Sequence, residues 1–177
     1  MTGRVLVAGV GNIFLGDDGF GVEVARRLAA SGLPEWVTVA DYGTSGMHLA
    51  YDLADGYDAV ILIDAAPRGQ QPGTVTVLEV EPGQQPADPQ AGRLFDAHGM
   101  QPDVVVGMLG MLGATAGRIL VVGCEPADTG YRIGLSDAAA AAVDEAVRVV
   151  HELVTGALAA GDSGGHEGVA HVPRHSG

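Results

Sequence analysis

Lysine is missing from this chain: its nine basic residues are all arginine. That absence removes Schiff-base chemistry, the phosphate-gripping lysine of P-loops and Ser–Lys hydrolysis together. Cysteine is almost missing too. The single Cys124 can make neither an internal disulfide nor a cysteine-based zinc site, which fits a reducing compartment. No apolar run is long enough to span a bilayer, and no cationic segment leading into an apolar one opens the sequence. A cytoplasmic protein with no membrane partner is expected. Positive charge is scarce as well, with 22 acidic residues giving a formal net charge of −13. Such a surface repels phosphate backbones, so nucleic acid is excluded as a natural partner.

What is present is a globular composition, 47% hydrophobic over 177 residues, enough for one domain with one sizeable core. That domain is expected over residues 1–160. Residues 161–177 turn to Gly, Ser and His without apolar periodicity, and a disordered tail is expected there. Strand-like runs at 5–10, 36–40, 59–63, 74–80 and 119–124 alternate with helical patterns at 19–30, through 54, at 102–114 and from 136 to about 159. This alternation predicts an α/β fold of three layers, a mainly parallel twisted sheet of about five strands between helices. The 59–63 run is nearly all apolar, as in a central strand covered on both faces. Pro-Gly pairs bound the 74–80 run and mark it as an edge strand or hairpin arm. Residues 81–97, rich in Pro, Gly and Gln, read as a long loop.

The most informative segment is Gly9-Val10-Gly11-Asn12-Ile13-Phe14-Leu15-Gly16-Asp17-Asp18-Gly19-Phe20-Gly21. It leaves a strand and enters a helix, where α/β proteins place a phosphate-binding glycine loop. Asp17 and Asp18 contradict that use. Two carboxylates at a helix start suit the helix dipole but repel phosphate and attract a cation. The spacing to Gly16 also departs from the G-x-G-x-x-G fingerprint.

In an open parallel sheet, ligands sit beyond the carboxyl ends of the strands. Each predicted parallel strand delivers an acid there: Asp17 and Asp18 after the first, Asp41 after the second, Asp64 after the third, and Glu125 after Cys124. Each has a plainer explanation, as a turn-forming, capping or dipole-matching residue. Together they predict carboxylates gathered around one crevice. Acids alone would suit Mg²⁺ or Ca²⁺. His98, in Asp96-Ala97-His98-Gly99, changes the chemistry if it reaches the same crevice, because two carboxylates and an imidazole suit Zn²⁺ or Ni²⁺ better. His48 and His151 read as helix-surface residues, and His166, His171 and His175 fall in the tail.

These motifs resemble the hydrogenase maturation proteases, the endopeptidases that trim the large subunit of nickel–iron hydrogenases. The resemblance runs from about Arg4 to Val154. It rests on the glycine loop with Asp17-Asp18, on Asp41-Tyr42-Gly43-Thr44-Ser45-Gly46 and on Val60-Ile61-Leu62-Ile63-Asp64-Ala65. It continues through His98-Gly99, Val122-Gly123-Cys124-Glu125-Pro126 and Gly134-Leu135-Ser136. It implies an α/β fold and a metal-contacting, catalytic set of Asp18, Asp64 and His98. It implies a substrate-recognition loop at Asp41, Gly43 and Thr44. The implied partner is a nickel-loaded large-subunit precursor that loses its C-terminal extension, with the nickel carried by that substrate. Zinc or cadmium is then expected only as an in vitro occupant of the same site, and a monomer is expected to act. No His-Glu-x-x-His motif of ordinary zinc proteases is present. Two other classes remain as alternatives: a metal-binding maturation factor without hydrolysis, and a nucleotide-binding module.

Overall fold

The computed structural model describes residues 3–80 and 117–159. His98, the 81–97 loop, the 102–114 helix and the 161–177 tail lie outside the described residues.

Within them the chain runs β1 (Val5–Val10), a 3₁₀ turn (Gly16–Gly19), α1 (Phe20–Ala29), β2 (Val37–Gly43), α2 (Gly46–Ala54) and β3 (Ala59–Ala65). It continues with β4 (Val75–Val80), β5 (Arg118–Cys124) and α3 (Asp137–Thr155). The five strands form one sheet in the order β2-β1-β3-β5-β4. All pairings are parallel except that of β4 with β5, which is antiparallel.

Burial follows position in the sheet. β1 and β3 are buried almost throughout, and so are most residues of β5, which explains their near-continuous apolar sequences. The edge strands β2 and β4 are half-exposed and accept polar residues. That tolerance extends β2 to Gly43, beyond the predicted end at residue 40, so that Asp41 and Gly43 stand inside the strand.

Helices cover both faces. On one side α1 and α3 bury Phe20, Val24, Leu28, Val143, Ala146 and Val150 against Val7, Ile61, Ile63 and Val122. In α3 the buried residues recur at Ala139, Ala142, Val143, Ala146, Val149, Val150 and Val154, the i, i+3, i+4 spacing of an amphipathic helix. Ser136 is its N-cap, accepting the Ala139 N–H at 3.2 Å. On the opposite side α2 contributes Leu49 and Leu53 to a second cluster with Leu6, Val10, Val60 and Leu62.

The chain leaves β1 for β2 on one side, then returns across β1 to form β3 on the other. The carboxyl ends of β1 and β3 therefore flank the point where the strand order reverses, where open α/β sheets open a ligand crevice.

Candidate active site

The loop after β1 comes first to that crevice. Gly11 adopts a φ of +135°, and a Cβ there would collide with the Asp18 carbonyl oxygen. Glycine is thus required because the loop folds back on itself, not to admit a phosphate. Seven of the eight N–H groups from Gly11 to Asp18 are already spent inside the protein. Gly11 donates to the Gly43 carbonyl, Leu15 to Asn12, Gly16 to Arg132, Asp17 to Asp128 and Asp18 to Leu15. Asn12 donates to Asp18 Oδ2 at 2.8 Å and Phe14 to Asn12 Oδ1 at 2.9 Å. A phosphate loop must present free donors. The nucleotide-binding alternative fails on this count.

The two adjacent aspartates have separate environments. Asp17 is fully buried. Its Oδ2 accepts the N–H groups of Ala127 at 2.8 Å and Asp128 at 3.1 Å and the Ser136 hydroxyl at 2.8 Å. Its Oδ1 accepts the Ser136 N–H at 2.6 Å. Burial alone would push its pKa up, but these donors outweigh burial and hold it below the usual value. Asp18 is half-buried, and its Oδ1 accepts no hydrogen bond from any described residue.

Asp64 meets Asp18 from β3. It is only 4% exposed, and its Oδ1 accepts its neighbour Ala65's N–H at 2.8 Å. Burial first, and the charge of Asp18 second, raise its pKa well above the ordinary carboxylate value. The Asp18 charge reaches Asp64, and the two residues border the same corner beside Gly11. Gly11 belongs to the same corner, since a Cβ on it would lie 3.7 Å from Asp64 Oδ1.

The remaining strand-end acids do not join them. Asp41 is exposed at the sheet edge, where its Oδ1 accepts the Gly43 N–H at 2.9 Å and its Oδ2 lies 3.8 Å from Arg26 Nε. Glu125 is buried and accepts the Arg68 N–H at 2.7 Å. The predicted gathering of acids from every parallel strand end therefore reduces to Asp18 and Asp64. Among the described residues no three His, Cys, Asp or Glu side chains converge on a metal-sized point. Gly43 and the exposed Thr44 remain linked to the site through the Gly11–Gly43 hydrogen bond.

A cavity of about 390 Å³ lies between α1 and the 133–143 segment, lined by Ile13, Val22, Arg26, Ile133 and Leu135 among others. Neither Asp18 nor Asp64 lines it, so it is not where these carboxylates act. The buried, fully bonded state of Asp17 is not legible in the sequence because its partners lie 110 to 119 residues away. The Ser136-Asp137 start of α3 was the only local signal of that connection.

The family model for hydrogenase maturation protease (HycI) matches residues 22–153. The chain belongs to the hydrogenase maturation protease family. It is similar to the hydrogenase 2 maturation protease of Escherichia coli K12, with 31% identity over 153 residues, 83% of this chain and 88% of that one. Among solved structures, the hydrogenase 2 maturation peptidase of a Thaumarchaeota archaeon matches with a TM-score of 0.67 and 34% identity, over 86% of this chain and 98% of that one. The E. coli hydrogenase maturating endopeptidase HybD matches with a TM-score of 0.66 and 30% identity, over 83% and 89%. This hydrogenase maturation protease is accordingly a hydrolase of peptide bonds with the α/β fold of its relatives. Among its described residues no helix is long and apolar enough to cross a membrane.

Proposed function

We propose that the protein is the endopeptidase that removes the C-terminal extension of a nickel–iron hydrogenase large-subunit precursor after nickel insertion. Asp18, Asp64 and His98 inspect the nickel, which arrives as part of the substrate. The observation that carries this reading is the Asp18–Asp64 pair at the strand-order reversal. Asp18 Oδ1 accepts no hydrogen bond from any described residue, and Asp64 is held from ionising by burial first and by the repulsion of Asp18 second. A cation between the two relieves that repulsion, and an imidazole added to two carboxylates gives a donor set suited to nickel.

The chemistry divides between substrate and enzyme. A carbonyl oxygen polarised at the substrate's nickel becomes open to attack by water, and a carboxylate of the pair orients that water and takes its proton. This makes the activity metal-dependent and of the aspartic type. Asp41, Gly43 and Thr44 form the recognition loop for the precursor. Its link to Gly11 carries substrate contacts to the Asp18 loop. Zinc or cadmium would occupy the same ligands in vitro. The enzyme works as a monomer in the cytoplasm, where the precursor is assembled.

The test mixes the protein with nickel-loaded precursor and follows release of the C-terminal peptide. Wild type should release it, and nickel-free precursor should stay intact. Normal cleavage by the Asp18→Asn, Asp64→Asn, His98→Gln triple variant would sink the reading.

A further inference from the structure

We infer that Asp17 is a positioning residue for Asp18: its buried carboxylate clamps the glycine loop to residues 127–136 and so sets the direction in which Asp18 is presented. The inference rests on the proposed role of Asp18 in handling the substrate's metal. Its own support is geometric.

Asp17 and Asp18 are neighbours in the one-turn 3₁₀ segment Gly16–Gly19, so only one peptide plane separates their Cα atoms. Fixing Asp17 fixes the bond vector from which the Asp18 side chain leaves. The fixing is thorough. Four donors converge on Asp17, three from backbone and one from the Ser136 hydroxyl. The Asp17 N–H returns a bond to the Asp128 carbonyl at 2.8 Å. Just ahead of it in the loop, Gly16 donates to Arg132 at 2.8 Å and Arg132 donates to Phe14 at 3.0 Å. Of the groups in this seam, Asp17 supplies the side chain that accepts from both ends of the 127–136 segment.

Ser136 extends the clamp. Its hydroxyl donates to Asp17 and accepts from Ala139, so one hydroxyl both serves Asp17 and caps α3. The rigid 19-residue α3 thereby becomes the anchor of the loop. A carboxylate suits the position because it is acceptor-only with two oxygens. Asparagine would turn an NH₂ group toward one of the N–H donors, leaving buried groups unpaired and the loop free to shift. Loss of a partner that orients a metal-contacting residue lowers activity about 10- to 100-fold, and a displacement near 1 Å has a similar effect.

The experiment compares Asp17→Asn and Ser136→Ala with Val150→Ala, a core truncation in α3 far from the loop seam. Each is assayed on nickel-loaded precursor for kcat and KM, beside a melting curve. Asp17→Asn should lower kcat at least ~10-fold with KM changed less than about threefold. Ser136→Ala, which keeps the backbone donors, should fall between it and wild type. Val150→Ala should melt early yet keep the wild-type kcat per folded molecule. Should Asp17→Asn fail to fold, Ser136→Ala decides by the same comparison. A kcat that tracks melting temperature equally in all variants overturns the inference and leaves Asp17 a stability residue only. Asp18→Asn separates the two claims. If it cleaves normally, the proposed site is wrong; if it is inactive while the clamp variants keep their kcat, only the positioning role is lost.

Discussion

Asp64 in β3 and Asp18 in the loop after β1 border one corner beside Gly11, and burial together with the Asp18 charge leaves Asp64 reluctant to ionise. Burial is the larger cause and the Asp18 charge the second. Between the ordinary carboxylate pKa and the raised one, folded protein holds a proton that unfolded chain has released. Stability therefore falls as pH rises through that window. Asp64→Asn removes the dependence. Melts of metal-free protein between about pH 4 and about pH 7 should show the variant gaining on wild type as pH rises. Each ~1 kcal/mol of gain appears as about 2–4 °C in Tm for a chain of this size. A constant offset at every pH would show that Asp64 ionises without penalty. The same variant should lose at least ~100-fold in precursor cleavage, so that stability and activity move in opposite directions.

Asp41 predicts a different pattern. Its pairing with Arg26 at 3.8 Å is exposed, and such pairs are worth about 0–1 kcal/mol. Asp41→Asn should therefore leave Tm nearly unchanged. Because the proposed role is recognition, KM for the precursor should rise about 10-fold while kcat holds. A fall in kcat at constant KM would move Asp41 from recognition into chemistry.

Gly11→Ala should be among the most damaging single-methyl changes available. The residue sits at positive φ, and the added Cβ would strike the Asp18 backbone. Strain and overpacking cost about 1–3 kcal/mol each. Urea unfolding should show a lowered midpoint, and the folded fraction should cleave poorly because the Asp18 peptide must move to make room. A variant of wild-type stability would mean that the loop relaxes without effort.

Cys124 closes β5 beneath this corner, and burial, followed by the charges of Asp17, Glu125 and Glu145, pushes its thiol up to about 12. The thiolate is the reactive form. Iodoacetamide near pH 8 should leave the native protein unlabelled and label it fully in denaturant. Rapid labelling of native protein would show that the end of β5 opens.

Much of this was legible in the sequence, for identifiable reasons. β1, β3 and most of β5 are buried on both faces, so runs such as Ala59-Val60-Ile61-Leu62-Ile63 could hardly be anything else. The Pro-Gly pairs around β4 signal its edge character. Its antiparallel direction comes instead from the 66–74 link out of β3, which turns back beside the end of β5 through the Gly73–Glu125 and Glu125–Thr74 bonds. The end of β2 is hidden because Asp41 and Gly43 are poor indicators of a strand, and an edge tolerates them. Asp17 and Asp18 could not be told apart by sequence. Adjacent residues in a 3₁₀ turn point in different directions, and only contacts with residues 127–136 decide which one is buried. Asp18 and Asp64 were singled out by strand-end position, and the reversal of strand order between β1 and β3 is what brings those ends together.

The seam between the glycine loop and residues 127–136 also has a consequence for synthesis. Asp17 leaves the ribosome well before Ser136, its most distant partner, and at about 5–20 residues per second the intervening 119 residues take on the order of ten seconds. Until residues 127–136 follow, the emerging chain has the aspartates but none of the four donors that hold Asp17. A nascent protease stalled short of residue 127 would thus hold its aspartates without the clamp that presents them.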